Sequence, residues 1–290
     1  MLRTSMPEQG SEEWLKMRKG MLSASKIPIM LGLSPYKTAF QLWQEELGLV
    51  EPKKSSKAME EGLACEDAAR EFFFNEIGIH VKPAVIIDPE DNRFMASLDG
   101  MSDDRKTILE IKRNNKDFHE LCKKDLQGPL KFHYAQIQMQ MSCTGLPYSW
   151  YLSYRKGDEI LRRVDRNDVF IQFLKDGAIK FKHCVDNFIP PELTDRDIIT
   201  RFDPEWEQAA EEYRAILSSL NYLENRADLL RKNLISLSDD QSSQGFGLKI
   251  TKYVKQGSIQ YKDIPQLRDI DLNQYRSKPT VCWRVTETEK

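Results

Sequence analysis

Two predicted strands joined by a polar turn constrain the fold of this chain more than any other stretch. Residues 94–98 and 107–112 are apolar runs, and the segment between them is rich in Gly, Asp and Lys, which predicts an antiparallel hairpin. Because side chains alternate across a strand, Glu110 and Lys112 share one face of the second strand. Asp99 joins them from the end of the first strand.

Asp99, Glu110 and Lys112 together have a definite chemical use. Two carboxylates that converge repel each other, and their oxygens suit a hard divalent cation such as Mg²⁺ or Mn²⁺. Lys112 can then orient a water molecule or stabilise negative charge that develops on a phosphate. The set therefore indicates phosphodiester chemistry, and the alternative is a solvated hairpin with a surface salt bridge.

The composition indicates which cellular compartment and which binding partners to expect for this protein. The chain has 290 residues, of which 40% are hydrophobic, and a formal net charge of −2, so a nucleic-acid enzyme of this kind must gather its Lys and Arg on one face. Five cysteines without a CxxC pair suit reduced thiols, so we expect a cytoplasmic protein, and no apolar run or leader suggests a membrane span or signal peptide. His119, Cys122 and His133 lack a fourth zinc ligand at proper spacing.

Near the start of the chain, small hydroxyl residues precede an apolar run. We expect Ser23 and Ser25 to open a helix that continues to Gly32, with Arg18 nearby. Ser hydroxyls at a helix N-terminus beside an arginine form an anion site, which makes a phosphate the functional interpretation. Ordinary helix caps and a surface arginine are the alternative.

A single helix is predicted over residues 58–74. Its apolar stripe consists of Met59, Leu63, Ala69 and Phe73. Glu66 lies on the same stripe, where a carboxylate is costly unless it is paired or binds a metal. Arg70, one turn further on, is the alternative partner for Glu66. Gly62 on this stripe predicts close approach of another backbone.

Residues 134–141 predict a second buried helix that ends at Gly145. Gln136 and Gln140 lie one turn apart on it. Either these glutamines form a solvent-exposed flank, or Gln136 lies at the metal site.

The remaining pattern gives a mixed sheet flanked by helices. Further strands are predicted at 81–88, 149–155 and 160–164. Further helices are predicted at 39–47, with Thr38 as its cap, and at 168–183, and residues 114–126 are either a helix or a loop facing substrate. After Pro191 a near-heptad rhythm predicts a helix of roughly thirty residues. A polar linker at 236–245 and short strands at 247–254, 259–261 and 281–285 follow. We therefore expect a core at 1–192 and a long helix with a small α+β appendage at 193–290.

Five sequence blocks in this order resemble the YqaJ-type viral recombinases, relatives of phage lambda exonuclease. They are Trp14-Leu15-Lys16-Met17-Arg18-x-Gly20-x-x-Ser23-Ala24-Ser25, Gly62-x-x-x-Glu66, Ser97-x-Asp99-Gly100, Leu109-Glu110-Ile111-Lys112 and Tyr134-Ala135-Gln136-Ile137-Gln138. The resemblance covers about residues 1–190 and implies the PD-(D/E)xK, restriction-endonuclease-like fold. One departure is Leu98, where the family commonly has Pro.

The resemblance also assigns roles to residues. Asp99, Glu110 and the main-chain carbonyl of Ile111 would bind the metal, Lys112 would position the attacking water, and Glu66 and Gln136 would complete the site. Arg18, Ser23 and Ser25 would hold the 5′-phosphate of a DNA end, and Met59 lies where the family places an apolar wedge between terminal base pairs.

The function that the resemblance implies is a Mg²⁺-dependent 5′→3′ exonuclease on double-stranded DNA. Such an enzyme releases 5′-mononucleotides and leaves a 3′ single strand for phage-type recombination inside a bacterial host. The family also implies a homo-oligomer, often a trimeric ring, and a single-strand annealing protein as partner. A DNA endonuclease of the same superfamily and a non-catalytic DNA-end-binding module are the alternatives.

Overall fold

The computed structural model describes residues 20–51, 57–124, 126–128, 130–268, 270, 272–277, 279–280 and 285, with the backbone alone for Lys57–Glu60, Lys262, Asn273 and Gln274. The chain divides into two compact units, Met1–Ile199 and Thr200–Lys290. Our assignment of residues 1–192 to a nuclease core and of residues 193–290 to an appendage stays a prediction.

The first unit contains a six-stranded mixed sheet. Its strands are β1 (Leu22–Ser23), β2 (Val81–Ile87), β3 (Phe94–Ser102), β4 (Ile108–Lys112), β5 (Tyr148–Ser153) and β6 (Ile160–Asp165). They follow the order β1-β3-β4-β5-β6, and β2 also pairs with β3. The β1–β3 and β4–β5 pairs are parallel, and the other pairs are antiparallel. The predicted mixed sheet and the central β3–β4 hairpin are therefore confirmed.

The strand β3 leaves part of one edge unpaired. β2 follows β3 from Met95 to Ser102, whereas β1 pairs with it only at Phe94 and Met95 and β4 only at Gly100 and Met101. Because a strand has two edges, β1 and β4 share the edge opposite β2. Asp99 lies in the stretch between these two partners.

A β-bulge interrupts β3 at this stretch. Between the pairs Lys82–Met101 and Ala84–Leu98, two residues of β3 oppose one residue of β2. Leu98 and Met101 consequently pack into the same hydrophobic cluster, although regular alternation would send them to opposite faces. We predicted that the strand ends at Leu98, but it continues through Asp99 to Ser102, so the turn begins only after Ser102.

Gly100 is required within this bulge. A Cβ atom there would lie 2.6 Å from Val81 Cγ2 and 3.2 Å from Leu109 Cβ. Real Cβ atoms do not approach a neighbour as closely as the first of these distances, so any other residue would push β2 or β4 away.

Helices cover both faces of the sheet. They are α1 (Ile27–Met30), α2 (Ala39–Glu46), α3 (Lys57–Ala64), α4 (Glu66–Ile77), α5 (Lys116–Cys122), α6 (Lys131–Thr144) and α7 (Asp168–Asp186). The larger core cluster joins α6 and α7 to one sheet face, through residues such as Ile137 and Leu174. The smaller cluster packs Ala69 and Phe73 of α4 against Leu109 and Ile111 on the other face.

The helix predicted over residues 58–74 is two helices, because the chain breaks at Cys65 between α3 and α4. Leu63, predicted on the buried stripe, is 70% exposed. Among the described residues nothing lies within 4 Å of a Cβ placed at Gly62, so the predicted close approach of another backbone is wrong for this part of the chain. Leu63 lies before the break and the buried Ala69 and Phe73 lie after it, so the three residues do not share one continuous helix face.

The helix that we predicted from Ser23 to Gly32 is also different. Leu22–Ser23 form strand β1, and the helix that follows, α1, has four residues and begins at Ile27 with no side-chain cap. Pairing with β3 holds Ser23 extended, which overrides its local preference for a helix cap. Other predicted features are confirmed: Thr38 caps α2 through a capping box with Gln41, and Gly145 ends α6 with a φ of 72°.

The second unit contains the predicted long helix, α8 (Pro204–Leu237), which has 34 residues. A short hairpin follows, β7 (Ser243–Gly245) with β8 (Leu248–Ile250). The strand predicted at 259–261 is wrong, because a 3₁₀ turn begins at Tyr261, and most of the strand predicted at 281–285 lies outside the described residues. Among the described helices, none has the length and apolar content to cross a bilayer.

Candidate active site

Asp99 fills the gap that opens where β3 and β4 separate. Its Oδ2 atom accepts a hydrogen bond of 2.8 Å from the Ile111 N–H. Tyr154 N–H bonds the carbonyl of Lys112, so the backbone groups of Lys112 face β5. Those of Ile111 therefore face β3, which places the Ile111 carbonyl on the same side of β4 as the Asp99 carboxylate.

Glu110 is the most heavily contacted carboxylate of the site. Its side chain is fully buried and pairs with the Lys112 ammonium, which confirms that these two residues share a strand face. Gln136 Nε2 donates to Glu110 Oε1 at 2.6 Å, and Gln140 Nε2 donates to Glu110 Oε2. Both glutamines project from α6, one turn apart, so a single helix fixes both carboxylate oxygens.

The charges of these groups are coupled. Burial raises the pKa of Glu110 to about 7, with a further contribution from the Asp99 carboxylate, while Lys112 and Gln140 act in the opposite direction. Burial by itself lowers the pKa of Lys112, but the carboxylates of Glu110 and Asp99 outweigh burial and raise it above its usual value. Two acids that repel each other in a dry site favour a bound cation.

Glu66 lies at the first residue of α4 and is engaged by Arg70. Arg70 Nη1 lies 3.2 Å from Glu66 Oε2 and also donates to the Asp99 main-chain carbonyl at 2.9 Å. Burial and the nearby Asp99 carboxylate raise the pKa of Glu66, and Arg70 opposes the rise. The alternative that we gave for Glu66, a pair with Arg70, is thus present, and the same arginine ties α4 to the strand that carries Asp99.

Gln140 is the site residue that the sequence did not single out. It is fully buried, so the solvent-exposed flank that we considered for the glutamine pair is wrong for this residue. Its Oε1 atom is buried without a hydrogen-bond partner among the described residues. Its spacing of four from Gln136 was the available signal, because both amides then lie on the same helix face.

The donor set suits a hard metal ion. No group of three or more His, Cys, Asp or Glu side chains within the described part of the chain is placed to hold a metal. The oxygens that fit are the Asp99 and Glu110 carboxylates with the Ile111 carbonyl, a set that suits Mg²⁺ or Mn²⁺ because these ions keep several waters. Direct coordination by Glu66 stays a prediction, and because Arg70 contacts Oε2, it would use Oε1 or displace Arg70.

The residues predicted to bind a 5′-phosphate are only partly described. Ser23 pairs with Met95 on the same edge of β3 as Asp99, about 13 Å along the strand at 3.3 Å per residue. Ser23 is buried and Ser25 is exposed, with 3.3 Å between their Oγ atoms. Arg18 lies outside the described residues, as does the side chain of Met59.

His119, Cys122 and His133 belong to a buried hydrogen-bonded network next to Lys112. Asn114 Nδ2 donates to Tyr151 Oη at 2.8 Å and to Ser153 Oγ at 2.9 Å. His119 Nδ1 lies 2.7 Å from Ser153 Oγ and His133 Nδ1 lies 2.9 Å from Tyr151 Oη. Cys122 Sγ lies 3.6 Å from Tyr151 Oη. Hydroxyl and amide groups thus contact the Nδ1 atoms of both histidines, while His119 Nε2 lies 3.3 Å from the Asp158 carboxylate.

Sequence comparison matches this chain to YqaJ-like proteins. Residues 13–147 match the family model of the YqaJ-like viral recombinase domain. The uncharacterized protein YqaJ of Bacillus subtilis (strain 168) is 28% identical over 180 residues, a match that covers 60% of this chain and 56% of YqaJ. The chain therefore spans little more than half the length of that relative.

Solved structures show the same likeness. The alkaline exonuclease LHK-Exo from Laribacter hongkongensis superposes with a TM-score of 0.53 at 26% identity, covering 62% of this chain and 94% of the exonuclease. The structure of LHK-Exo in complex with dAMP matches with the same TM-score, identity and coverage. The predicted fold class and the resemblance to the YqaJ-type recombinases are confirmed.

Proposed function

We propose that this chain, whose residues 13–147 match the YqaJ-like viral recombinase domain, is a metal-dependent 5′→3′ exonuclease acting on double-stranded DNA. The observation that carries the proposal is the buried Glu110 carboxylate, which contacts Lys112 and both α6 glutamines and is repelled by Asp99. A buried acid of this kind is costly without a function. The arrangement therefore favours phosphodiester hydrolysis over the alternative interpretation, a solvated hairpin with a surface salt bridge. The likeness to an alkaline exonuclease supports the same reaction.

In the reaction that we propose, water attacks the phosphorus atom next to the terminal nucleotide. A new P–O bond forms, the P–O3′ bond breaks, and a 5′-mononucleotide leaves. The dAMP complex of LHK-Exo supports a mononucleotide as product. Mg²⁺ or Mn²⁺, when held by Asp99, Glu110 and the Ile111 carbonyl, supplies Lewis acidity toward the phosphate and the attacking water.

The chain's own residues have separate tasks in this scheme. Lys112 donates hydrogen bonds to the attacking water or to a phosphate oxygen, and its raised pKa keeps it charged. Gln136 and Gln140 fix the orientation of the Glu110 carboxylate, and Arg70 holds the main chain at Asp99. Such fixed positions lower the cost of reorganising the site during reaction.

Assembly and partners follow from the resemblance alone. We propose a homo-oligomer, with a trimeric ring as the form typical of the family, and a single-strand annealing protein that receives the 3′ strand. A ring that encloses the product strand would make digestion processive.

The deciding experiment is digestion of linear duplexes labelled at one 5′ end or one 3′ end. With Mg²⁺ present, we expect the 5′ label to appear as a mononucleotide at once, and the 3′ label to remain in long fragments. EDTA should stop the reaction. Cleavage of a covalently closed circle would favour an endonuclease instead, and no release of nucleotide from any substrate would overturn the proposal.

A further inference from the structure

A cleft of about 570 Å³ opens beside the candidate active site. One wall is the junction of α3 and α4 at Cys65, and the other is formed by Arg113 and by the turn between β5 and β6, which carries Arg155, Lys156 and Asp158. The Asp158 carboxylate lies 3.3 Å from His119 Nε2 and 3.7 Å from Lys123 Nζ. Arg113, Arg155 and Lys156 lie outside the sequence blocks that carry the family resemblance, and Cys65 falls at a variable position of the Gly62-x-x-x-Glu66 block. The cleft is therefore a separate feature of this chain.

Both walls adjoin the candidate catalytic residues directly along the chain. Cys65 precedes Glu66, and Arg113 follows Lys112, so each wall begins one residue from the site. Consecutive Cα atoms are about 3.8 Å apart, so the backbone at the edge of each wall lies next to the backbone of Glu66 or Lys112.

The cations on the walls are open to solvent. Arg113, Arg155 and Lys156 are all exposed. Arg113 pairs with Glu61 at 2.6 Å, but both side chains are more than 40% exposed, and such pairs contribute little. A phosphate can therefore replace Glu61 as the partner of Arg113 at small cost.

The turn that carries the other two cations has a fixed shape. Asp158 N–H donates to the Arg155 carbonyl at 2.8 Å, and Gly157 has a φ of 86°, a value that suits glycine at the third position of a turn. Arg155 Nη1 also donates to the Asn114 carbonyl at 3.3 Å. The turn thus holds Arg155 and Lys156 on the rim of the cleft.

We propose that this cleft binds the sugar–phosphate backbone of the DNA strand next to the scissile phosphate, through Arg113, Arg155 and Lys156. The inference rests on the proposed nuclease function for the identity of the polymer. Exposed cations in an open cleft match a chain of phosphates and do not match a small apolar ligand, which needs an enclosed apolar lining.

Salt dependence of DNA binding tests the cleft without any cleavage. Affinity for a 5′-phosphorylated duplex with a 3′ overhang is measured in EDTA at several salt concentrations. Each lost phosphate contact lowers the slope of log K against log salt by about 0.7 to 0.9. We expect the Arg155→Ala/Lys156→Ala double variant to lose about 1 to 2 in slope and to bind roughly tenfold more weakly.

Two controls separate this result from a general charge effect or misfolding. The Lys82→Ala/Lys106→Ala variant also removes two exposed positive charges, but near the turn that joins β3 and β4, at the opposite end of β4 from Arg113. It should keep the wild-type slope. Lys156→Ala alone, which leaves the Arg155 contact with Asn114 intact, should lose about 0.7 to 0.9 in slope. Equal slopes for the wild type and both cleft variants would overturn the proposal.

Cys65 provides an independent readout in the wild-type protein. Alkylation is followed peptide by peptide in EDTA at alkaline pH, because burial raises the pKa of the Cys65 thiol. DNA should slow labelling of Cys65 several-fold and leave the half-buried Cys184 unchanged, whereas equal protection of both or of neither would contradict the cleft. A failure here, in a protein that still releases nucleotides with Mg²⁺, would reject the cleft and leave the nuclease proposal in place.

Discussion

The carboxylate of Asp99 accepts a hydrogen bond from the main-chain N–H of Ile111, 2.8 Å away and twelve residues on. The side chain thus takes the place of a backbone partner at the point where β3 and β4 separate. Asp99 is one of the two residues of the β-bulge, which makes this possible because a bulge re-aims its side chains. Bulges commonly re-aim a side chain in this way next to active sites.

Loss of charge at either proposed metal-binding carboxylate should abolish cleavage. Asp99→Asn keeps an oxygen that can accept from Ile111, and Glu110→Gln keeps the shape of a buried side chain, so both variants should fold. We expect nuclease rates to fall by about 10³-fold or more, which corresponds to at least about 4 kcal/mol. Far-ultraviolet circular dichroism and melting temperature check folding, and a variant that retains more than roughly a tenth of the wild-type rate would contradict the site.

Removal of the Gln140 amide should weaken metal binding. Gln140 donates to Glu110, and groups that orient a ligand in this way typically affect metal affinity by about 10- to 100-fold. We therefore expect Gln140→Leu to raise the dissociation constant for Mn²⁺ within this range, as measured by calorimetry.

Gln138 provides the matched control for that experiment. It is buried on the same helix, but its amide bonds the Asp165 carbonyl and the Asn167 N–H, both at 2.8 Å and both away from the acids. Gln138→Leu should lower stability and leave Mn²⁺ affinity unchanged. Equal Mn²⁺ affinities for the wild type and both variants would show that Gln140 does not support metal binding.

Arg18 should set the preference for phosphorylated ends. Because the family resemblance places Arg18 at the 5′-phosphate, Arg18→Ala should bring the ratio of initial rates on 5′-phosphate and 5′-hydroxyl duplexes close to one. Arg18→Lys keeps the charge but loses the planar fork, so an intermediate ratio is expected. An unchanged ratio in the alanine variant would show that another residue holds the phosphate.

His133 should make stability depend on pH. Burial, together with the positive charge of Lys112, lowers the pKa of His133 well below 6.5 in the folded protein. As pH falls, His133 therefore takes up a proton in the unfolded chain before it does so in the folded protein. Its contribution to the free energy of unfolding is complete above pH 6.5 and decreases progressively below it. We expect the stability advantage of wild type over His133→Gln to shrink by up to about 1.4 kcal/mol per pH unit below that value.

Urea unfolding of both proteins at about pH 8 and about pH 5.5 measures this change. Groups that titrate equally in the two proteins cancel in the comparison. The same stability difference at both pH values would mean that His133 titrates normally in the folded state.

Local sequence patterns predicted the elements that depend on local chemistry. The alternation that separates Glu110 from Leu109 placed the acid and the apolar residue on opposite faces, and contacts on both sides confirm it. The helix cap at Thr38 and the helix end at Gly145 were predicted for the same reason, because caps and positive φ angles depend on a few neighbouring atoms.

Where the sequence allowed two interpretations of a residue, contacts with residues far away in the chain decided between them. Gln140 was indistinguishable from an exposed glutamine until α6 packed on the sheet and brought Glu110 to its amide. Ser23 has the local chemistry of a helix cap, but pairing with Met95 makes it part of a strand. The break at Cys65 similarly changes which residues of the predicted helix are buried.

By itself, the sequence determined which residues carry acid, amide and positive charge, and on which strand or helix most of them lie. Only the tertiary structure decided that Asp99 meets Ile111 and that Gln140 meets Glu110. The physical reason is that register depends on both edges of β3 at once: a bulge against β2 moves Asp99 toward β4, and no short segment of the chain contains all three strands.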